Sequence, residues 1–283
     1  MNREKNIQKL EYYASMIRHN IVDMIGHSNN KVGHLGGSCS MADIIAALYF
    51  YKMRHDPNDP ADPHRDRFIL SKGHAALVQY AALAECGYFP KDDLYTVKQL
   101  GSHLQGHPDT LKTPGVEANT GSLGQGLSVG LGMALGLRMS ASTAKVYVAM
   151  GDGEQAEGQI WEAALCAANY KTNNLIAILD NNKIQATDTV ENIFPQHRLQ
   201  QRWESFGWHV ISIDGHNMKE ICEALDQIET INNKPILILA NTVKGKGISF
   251  AEGTAKFHNA SLNREQFDMA HDDINNMICL SEL

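Results

Sequence analysis

Several signals that would place this chain outside the cytoplasm are missing from its 283 residues. It has five cysteines, an odd number at wide spacings and without a Cys-x-x-Cys pair, which argues against a disulfide framework and a zinc site and predicts reduced thiols. No apolar run reaches the roughly 20 residues that a membrane span needs. The first residues also lack the apolar core of a signal peptide. These absences predict a cytoplasmic protein.

The chain also lacks positive charge in excess and any linker. Its net charge is −7 at pH 7 and its basic residues are scattered, which argues against nonspecific nucleic-acid binding. We find no Pro/Gly/Ser-rich linker, internal repeat or low-complexity tract. Because 43% of the residues are apolar, a substantial core is expected. We therefore expect residues 1–283 to form one α/β domain.

Short apolar runs that alternate with helical segments predict the fold. Strands are predicted at Arg67–Leu70, Val146–Met150, Leu175–Leu179, His209–Ile213 and Ile236–Ala240. Helices are predicted at Lys5–Ser28, from Ser40 to Met53, from His74 to Gly87, and at Leu123–Ser140, Gln155–Tyr170, Gln196–Phe206, Met218–Ile231 and Asn263–Ile278. This alternation predicts a doubly wound, mainly parallel sheet with helices on both faces.

Two of these helices carry specific signals. Ser40, with Asp43 three residues later, is typical of a helix N-cap followed by a first-turn acid. The helix Leu123–Ser140 contains five glycines, which lower helix propensity. Such a glycine density indicates close packing against the sheet or another subunit.

Two polar motifs follow neighbouring predicted strands. Gly151-Asp152-Gly153-Glu154 follows one strand, and Asn181-Asn182-Lys183-Ile184 follows the next. Each alone is more often a turn or a loop. Together they place a carboxylate and an amide oxygen, which suit Mg²⁺ or Ca²⁺, at the ligand-binding edge of a parallel sheet. The helix that starts after Asp152 would offer free N–H groups to a diphosphate.

Four of the 13 histidines stand beside glycines or at loop starts: His34, His74, His107 and His258. A neighbouring glycine allows close approach to a ligand, although each histidine could instead cap a turn. Other histidines are expected to be surface or structural residues, namely His19, His27, His55, His64, His197, His209, His216 and His271.

Several further blocks occur together with these motifs and in a recognisable order. They are Gly33-His34-Leu35-Gly36-Gly37, Ser71-Lys72-Gly73-His74-Ala75, Gly106-His107-Pro108, Thr120-Gly121-Ser122-Leu123-Gly124-Gln125-Gly126 and Thr242-Val243-Lys244-Gly245-Lys246-Gly247. From about Asn20 to His258 the chain resembles transketolase, a family that depends on thiamine diphosphate. The resemblance implies transfer of a two-carbon ketol unit from a ketose phosphate to an aldose phosphate.

The resemblance also implies a role for each residue that matches the family's motifs. Asp152 and Asn182 would hold Mg²⁺ or Ca²⁺ through their side chains, and Ile184 through its carbonyl oxygen. The residues implied in thiamine-diphosphate binding are His74, Gly121, Leu123, Asp152, Gly153, Asn182 and His258. The residues implied in catalysis are His34, His107, His258 and Glu157. Glu157 would join a carboxylate network across a subunit interface, whereas its alternative is an exposed acid in a first helical turn.

The matched region omits half of the transketolase site. The glutamate that activates the cofactor and the residues that bind the substrate phosphate belong to later domains of the family. The resemblance therefore implies the N-terminal subunit of a split transketolase, joined to a complementary C-terminal subunit in a heterotetramer. Alternatives are a split transketolase for a sulfosugar or branched-pentose phosphate, the thiamine-binding subunit of a 2-oxoacid dehydrogenase or deoxyxylulose-phosphate synthase, and a non-catalytic regulator.

Two positions depart from the family's pattern. Asn259 follows His258 where glycine is usual, and Asn tolerates left-handed backbone geometry better than most residues. Ser122 stands where proline is usual, and serine leaves φ free. We therefore expect the first loop to survive and the second to be less rigid.

Overall fold

A parallel five-stranded sheet forms the centre of the protein. The computed structural model describes residues 3–28 and 32–281, with side chains up to residue 278. The strands are β1 (Val32–Gly33), β2 (Arg67–Leu70), β3 (Val146–Gly151), β4 (Leu175–Asn181), β5 (His209–Asp214), β6 (Ile236–Asn241) and β7 (Ala260–Ser261). The large sheet has the order β2-β3-β4-β6-β5, and all its pairings are parallel. β1 and β7 form a separate antiparallel pair.

Helices surround the large sheet. They are α1 (Arg3–His27), α2 (Leu35–Cys39), α3 (Ala42–Ala47), α4 (Ala76–Cys86), α5 (Gln125–Met139), α6 (Gly158–Asn169), α7 (Val190–Ile193), α8 (Leu199–Ser205), α9 (Met218–Gln227) and α10 (Arg264–Ser281). Short 3₁₀ helices occupy Gly73–Ala75, Lys91–Thr96, Gly153–Ala156, Ile228–Thr230 and Ala255–Phe257. None of the described helices is long and apolar enough to cross a membrane.

Alternating strand residues build two separate cores, one on each face of the sheet. Tyr147 and Ile176 point into the core that α1, α3, α4 and α9 cover. Their neighbours Val148 and Ala177 point into the opposite core, which α5, α6 and α8 cover. Because both faces are buried, the strands are continuous apolar runs rather than alternating ones. The predicted doubly wound sheet with helices on both faces is confirmed.

The carboxyl ends of the three central strands lie side by side. Gly151 at the end of β3 pairs with Asp180 in β4, and Asn181 pairs with Asn241 at the end of β6. The segments that follow these strands therefore leave the sheet at one edge. This is the edge at which open α/β sheets bind ligands.

The predicted helix from Ser40 to Met53 is wrong in its start, because α2 ends at Cys39 and α3 begins at Ala42. From Ala42 the helix continues to Lys52, with its last part, Leu48–Lys52, in π-helical form.

Ser40 does not cap α3, because its backbone is helical (φ −61°, ψ −27°) at the C-cap of α2, and the N-cap of α3 is Met41. The Ser40 side chain instead points to the buried carboxylate of Asp180, to which its hydroxyl donates at 2.7 Å. Asp43 does lie in the first turn of α3, where it pairs with Arg18.

The cysteines agree with the expected reduced state. Cys39, Cys86, Cys166 and Cys222 are free, and Cys39 and Cys222 are buried. Burial raises the pKa of the Cys39 thiol to about 12, so it stays protonated at neutral pH. The side chain of Cys279 lies outside the described residues.

Candidate functional site

The two polar motifs meet at the carboxyl edge of the sheet. Asp152 follows β3 directly, and Asn182 follows β4. One Asp152 oxygen accepts a hydrogen bond from the Lys183 backbone N–H, which ties the first motif to the second. The other oxygen accepts from the Gly153 N–H at 2.7 Å. The side-chain oxygen of Asn182 accepts from the Ile184 N–H at 3.1 Å. The three residues implied as metal ligands therefore form one connected cluster.

A buried carboxylate that the sequence analysis did not single out organises this cluster. Asp180 is wholly buried at the end of β4 and forms an ion pair with buried Lys72. It also accepts from Ser40, from Thr242 and, at 2.8 Å, from the Asn182 amide. That last bond orients the Asn182 side chain so that its oxygen points away from Asp180. Burial alone would raise the pKa of Asp180, but Lys72 and the hydroxyl donors hold it below its usual range.

The cluster suits a divalent cation. Burial, together with the charge of Asp180, raises the pKa of Asp152 to about 6, the effect expected where negative charge lacks compensation. The Lys244 ammonium already donates to the Ile184 carbonyl at 2.7 Å, so this oxygen faces positive charge. Carboxylate, amide and carbonyl oxygens are the ligands of Mg²⁺ and Ca²⁺. The residues present therefore fit such an ion.

The predicted helix N-terminus beside Asp152 takes a different form. The chain after Asp152 makes a four-residue 3₁₀ helix, and α6 starts only at Gly158. In addition, the Gly153 N–H donates to Asp152, although the resemblance assigns it to the diphosphate. A one-turn helix gathers few aligned peptide dipoles, so the helix dipole contributes less here than we predicted. Lysine side chains instead supply the positive charge at this edge.

Lys72 and Lys244 are buried cations that the sequence analysis left without a role. Lys72 donates to the Gly37 carbonyl at 2.8 Å as well as to Asp180. Lys244 donates to Ile184 and lies 2.8 Å from His258 Nδ1. Burial and the charge of Lys72 lower the pKa of Lys244 to about 8. Both lysines lie inside motif blocks quoted in the sequence analysis. Their position in these blocks was the sequence signal that could have identified them as site residues.

The four histidines chosen from the sequence come together above the edge. Ring centroids lie 5.2 Å apart for His34 and His74, and 5.0 Å apart for His74 and His258. His34 is also 5.4 Å from His258 and 6.4 Å from His107. Residues from four distant segments thus share one pocket. The alternative of four separate turn-capping histidines does not account for this convergence.

All four imidazoles are held neutral. Burial, followed by nearby positive charge, lowers the pKa of His34 to about 4, of His74 to about 2 and of His258 to about 3. Burial and Lys98 also lower the pKa of His107. A neutral imidazole carries one donor and one acceptor nitrogen, so each ring can orient a hydroxyl or exchange a proton.

Unpaired buried polar atoms mark the same pocket. His34 Nδ1, Thr120 Oγ1 and the Gln185 amide nitrogen are buried and find no hydrogen-bond partner within residues 3–28 and 32–281. Leaving a buried polar group unsatisfied costs about 1–3 kcal/mol. A polar ligand bound beside them would remove that cost, which fits the diphosphate and hydroxyl groups that the resemblance implies.

Glycines let the chain approach closely around this pocket. A Cβ at Gly73 would lie 2.6 Å from Thr120, and one at Gly121 would lie 2.9 Å from the His107 ring. Gly121 also has a φ of +142°, which L-residues rarely adopt. Leu123, half-buried, follows in the same loop. Both residues implied in cofactor contact thus lie beside the histidine pocket.

Two glutamates near α6 have different environments. Glu154 is buried and accepts from Ser71 and from the N–H groups of Gly124 at 2.8 Å and Gly151 at 3.0 Å. It therefore locks the start of α5 to the end of β3, a role that we did not predict. Glu157, by contrast, is exposed at the N-cap of α6 and makes no side-chain capping bond. Exposure of Glu157 in the single chain is compatible both with a carboxylate network across a subunit interface and with an exposed acid at a helix start.

The two departures from the family pattern are easily accommodated. Asn259 lies outside the left-handed region, so this loop has no need of glycine there. Ser122 is exposed between Gly121 and buried Gly124. The Gly124 N–H donates to Glu154, so the loop is held by the 3₁₀ helix that follows β3 rather than by a proline.

Comparisons with known proteins agree with this geometry. The family described as "Transketolase, thiamine diphosphate binding domain" matches residues 10–275. A 6-deoxy-6-sulfo-D-fructose transketolase subunit from Clostridium sp. (strain MSTE9) is 46% identical over 92% of this chain and 94% of its own length. One of the subunits of the apulose-4-phosphate transketolase from Phocaeicola vulgatus is 40% identical over 96% of each chain.

Whole transketolases match over less than half of their length. The Campylobacter jejuni transketolase structure superposes with a TM-score of 0.88 and 33% identity, covering 97% of this chain but 43% of its own. Human transketolase is 37% identical over 97% of this chain and 43% of its own. The chain therefore belongs to the transketolase family and corresponds to its thiamine-diphosphate-binding domain.

Proposed function

We propose that this chain is the N-terminal subunit of a split transketolase. With a complementary C-terminal subunit it transfers a two-carbon ketol unit from a ketose phosphate to an aldose phosphate. The observation that carries the proposal is the meeting of four neutral histidines over the Asp152–Asn182 edge. Relatives of the same length are named as transketolase subunits, which supports an enzyme built from two kinds of chain.

The metal and the cofactor would be held at the sheet edge. Asp152, Asn182 and the Ile184 carbonyl would hold Mg²⁺ or Ca²⁺. When bound there, thiamine diphosphate would supply the electron sink that cleavage of a carbon–carbon bond requires. His74 and Lys244 would donate to the diphosphate. Gly121 and Leu123 would flank the rings of the cofactor.

The remaining histidines would handle the substrate's hydroxyl protons. His34, His107 and His258 are neutral at working pH, so each can accept a proton from one hydroxyl and return it later. We assign them to the reactive carbons of the donor sugar.

The partner would complete the site. Glu157 is exposed at the start of α6, where a carboxylate from another chain could meet it. We propose that the activating glutamate and the substrate-phosphate site lie on the complementary subunit, and that two copies of each chain form a heterotetramer. The whole described chain would then serve as the metal and diphosphate domain of a cytoplasmic enzyme of the pentose phosphate pathway.

A specialised sugar is the second candidate. The two relatives described above are named for 6-deoxy-6-sulfo-D-fructose and for apulose 4-phosphate. These names favour ketol transfer over the reaction of a 2-oxoacid dehydrogenase. They leave the donor sugar to be determined by assay.

The first experiment is reconstitution. This chain is co-expressed with the product of the neighbouring reading frame, and transfer is assayed with xylulose 5-phosphate and ribose 5-phosphate. Sulfofructose and apulose 4-phosphate are tested in parallel. We expect activity only from the complex, and little cofactor binding by the isolated chain. Robust turnover by the purified chain, with mass spectrometry detecting no partner, would refute the split-enzyme proposal.

A second experiment tests the metal cluster in the same complex. We expect Asp152→Ala to abolish Mg²⁺-dependent binding of thiamine diphosphate in calorimetry, since it removes a charged metal ligand. Asp214→Ala is the matched control because Asp214 is exposed at the end of β5 on the same edge. Unchanged affinity in a folded Asp152→Ala complex would disprove the metal assignment.

A further inference from the structure

A compact group of imidazole and carboxylate side chains lies outside the pocket described above. His19 and Asp23 stand one turn apart on α1, and His271 faces them from α10. His271 Nε2 lies 3.1 Å from one Asp23 oxygen, and His19 Nδ1 lies 3.4 Å from the other. One ligand atom from each residue can be chosen so that all three lie within 4.8 Å of one another.

Hydrogen bonds within this group leave one buried nitrogen, His19 Nδ1, without a partner. Nor does this nitrogen find a hydrogen-bond partner elsewhere in the part of the chain that the structure describes. Its 3.4 Å separation from Asp23 exceeds the usual range for a hydrogen bond. The rings of His19 and His271 meet edge to face, with centroids 4.5 Å apart. A buried nitrogen that faces a carboxylate without a hydrogen bond of normal length is free to bind a ligand.

We propose that His19, Asp23 and His271 form a Zn²⁺ site that joins α1 to α10. In tetrahedral zinc sites bonds of about 2.0–2.1 Å place neighbouring ligand atoms about 3.3 Å apart. Each imidazole nitrogen lies close to that distance from one oxygen of Asp23, at 3.1 Å for His271 and 3.4 Å for His19, and one ligand atom from each residue lies within 4.8 Å of the other two. Two imidazoles and one carboxylate suit zinc, with water as the fourth ligand, and disfavour Mg²⁺, which prefers oxygen.

The surroundings already hold the ligands in place. Phe267, one turn before His271 on α10, packs edge to face on the His271 ring at 4.5 Å. The same Phe267 ring lies against Gly26, where a Cβ would come within 2.3 Å. His27 Nδ1 contacts the Asp23 carbonyl at 2.8 Å, at the end of α1. The three side chains would therefore need little rearrangement to bind Zn²⁺, and the bound ion would link α10 to α1.

Zinc binding can be tested on the tag-free chain and on its complex with the partner subunit. Metal content is measured after dialysis against buffered micromolar Zn²⁺, and the visible spectrum is recorded during Co²⁺ titration. The variants are His19→Gln and His271→Gln. His197→Gln is the control, because the His197 side chain is 69% exposed. Because the four pocket histidines could also bind zinc, the decisive quantity is the difference in metal equivalents between wild type and variant.

We expect each of the two variants to bind one equivalent fewer than wild type and to lose the tetrahedral Co²⁺ absorption that the control keeps. At saturating zinc the wild-type unfolding midpoint should rise by about 5 °C relative to EDTA, and this rise should vanish in both variants. Equal metal content in wild type and both variants at 20 °C would overturn the proposal. If a variant is less stable in EDTA, the Co²⁺ titration below its unfolding temperature still decides the question.

Discussion

Two apolar helices of this protein, α4 and α5, differ in how far the rest of the chain buries them. In α4 every residue from Ala76 to Ala84 is buried within the chain. In α5 one side packs on the sheet through Leu127 and Leu131, while Val129 and Met139 on the other side are 41% and 90% exposed. Their sequences are similarly apolar, yet only α4 is covered all round.

This difference indicates that the exposed apolar side of α5 is an interface. A helix that is apolar on all sides is stable in water only when all sides are covered. Leu165 on α6 and Tyr170 just beyond it extend the uncovered area, with 61% and 53% exposure. Exposed apolar patches of this kind mark protein–protein contacts. This surface and Glu157 at the start of α6 are where our proposal puts the neighbouring subunit.

The largest expected effect comes from introducing an aspartate into each of the two helices. Leu83→Asp in α4 should unfold the chain, because burying an unpaired carboxylate costs more than about 4 kcal/mol. Val129→Asp in α5 should change the free energy of unfolding by no more than about 0.5 kcal/mol. It should nevertheless prevent assembly with the partner. Urea denaturation and size-exclusion chromatography measure the two effects. Normal assembly of the Val129→Asp chain would show that α5 does not form the interface.

The loops that precede the two helices should differ in function. His74 precedes α4, and His107 packs against Gly121 just before α5. His107→Ala should lower kcat about 100-fold with little change in cofactor affinity, since our proposal assigns it to the reacting carbons of the donor sugar. His74→Ala should also weaken cofactor binding by about tenfold. Steady-state kinetics with cofactor titration on the complex separate the two. Equal effects of both variants on both parameters would contradict this division of roles.

The glycines of α5 allow a separate test of its sheet-facing side and its exposed side. A Cβ at Gly130 would lie 2.5 Å from Val148, whereas one at Gly136 would meet nothing within 4 Å. Gly130→Ala should therefore destabilise the isolated chain by about 1–3 kcal/mol through overpacking. Gly136→Ala should stabilise it by about 0.5–1 kcal/mol through helix propensity. If the exposed side of α5 meets a subunit closely, the second variant should also weaken assembly, which analytical ultracentrifugation can measure.

A pH dependence of stability is expected from His74, which lies in the 3₁₀ helix that directly precedes α4. Burial lowers the pKa of His74 to about 2, so the folded chain keeps this ring neutral while the unfolded chain protonates it near pH 6.5. The unfolded state thus binds more protons below pH 6.5, and stability falls as the pH falls. Between pH 7 and 5.5 we expect a loss of about 1 kcal/mol from this residue. Urea titrations of wild type and His74→Asn should differ in this slope. If wild type and His74→Asn lose stability equally as the pH falls, His74 is not the source of this pH dependence.

Strand positions were predictable because a strand buried on both faces leaves a continuous apolar run bounded by polar residues. All five strands of the large sheet lie at the predicted places, each with an end that differs by at most two residues. The segment after Ser40 was not predictable in the same way. Its N-cap signal was sound locally, but the Ser40 backbone is helical at the end of α2, and its hydroxyl donates to Asp180, 140 residues away. A local capping signal fails where the tertiary structure fixes a different backbone conformation.

By itself the sequence determined the alternating architecture, the family, and the motifs that bring Asp152, Asn182 and the four histidines to one edge. These depend on hydrophobic period and on residue types at set positions, which are local properties of the chain. Only the tertiary structure decided how the buried charges pair: Lys72 with Asp180, Lys244 beside Ile184 and His258, and Glu154 on the Gly124 amide. Such pairings join residues far apart in the chain, and burial makes them necessary because an unpaired charge is costly away from water.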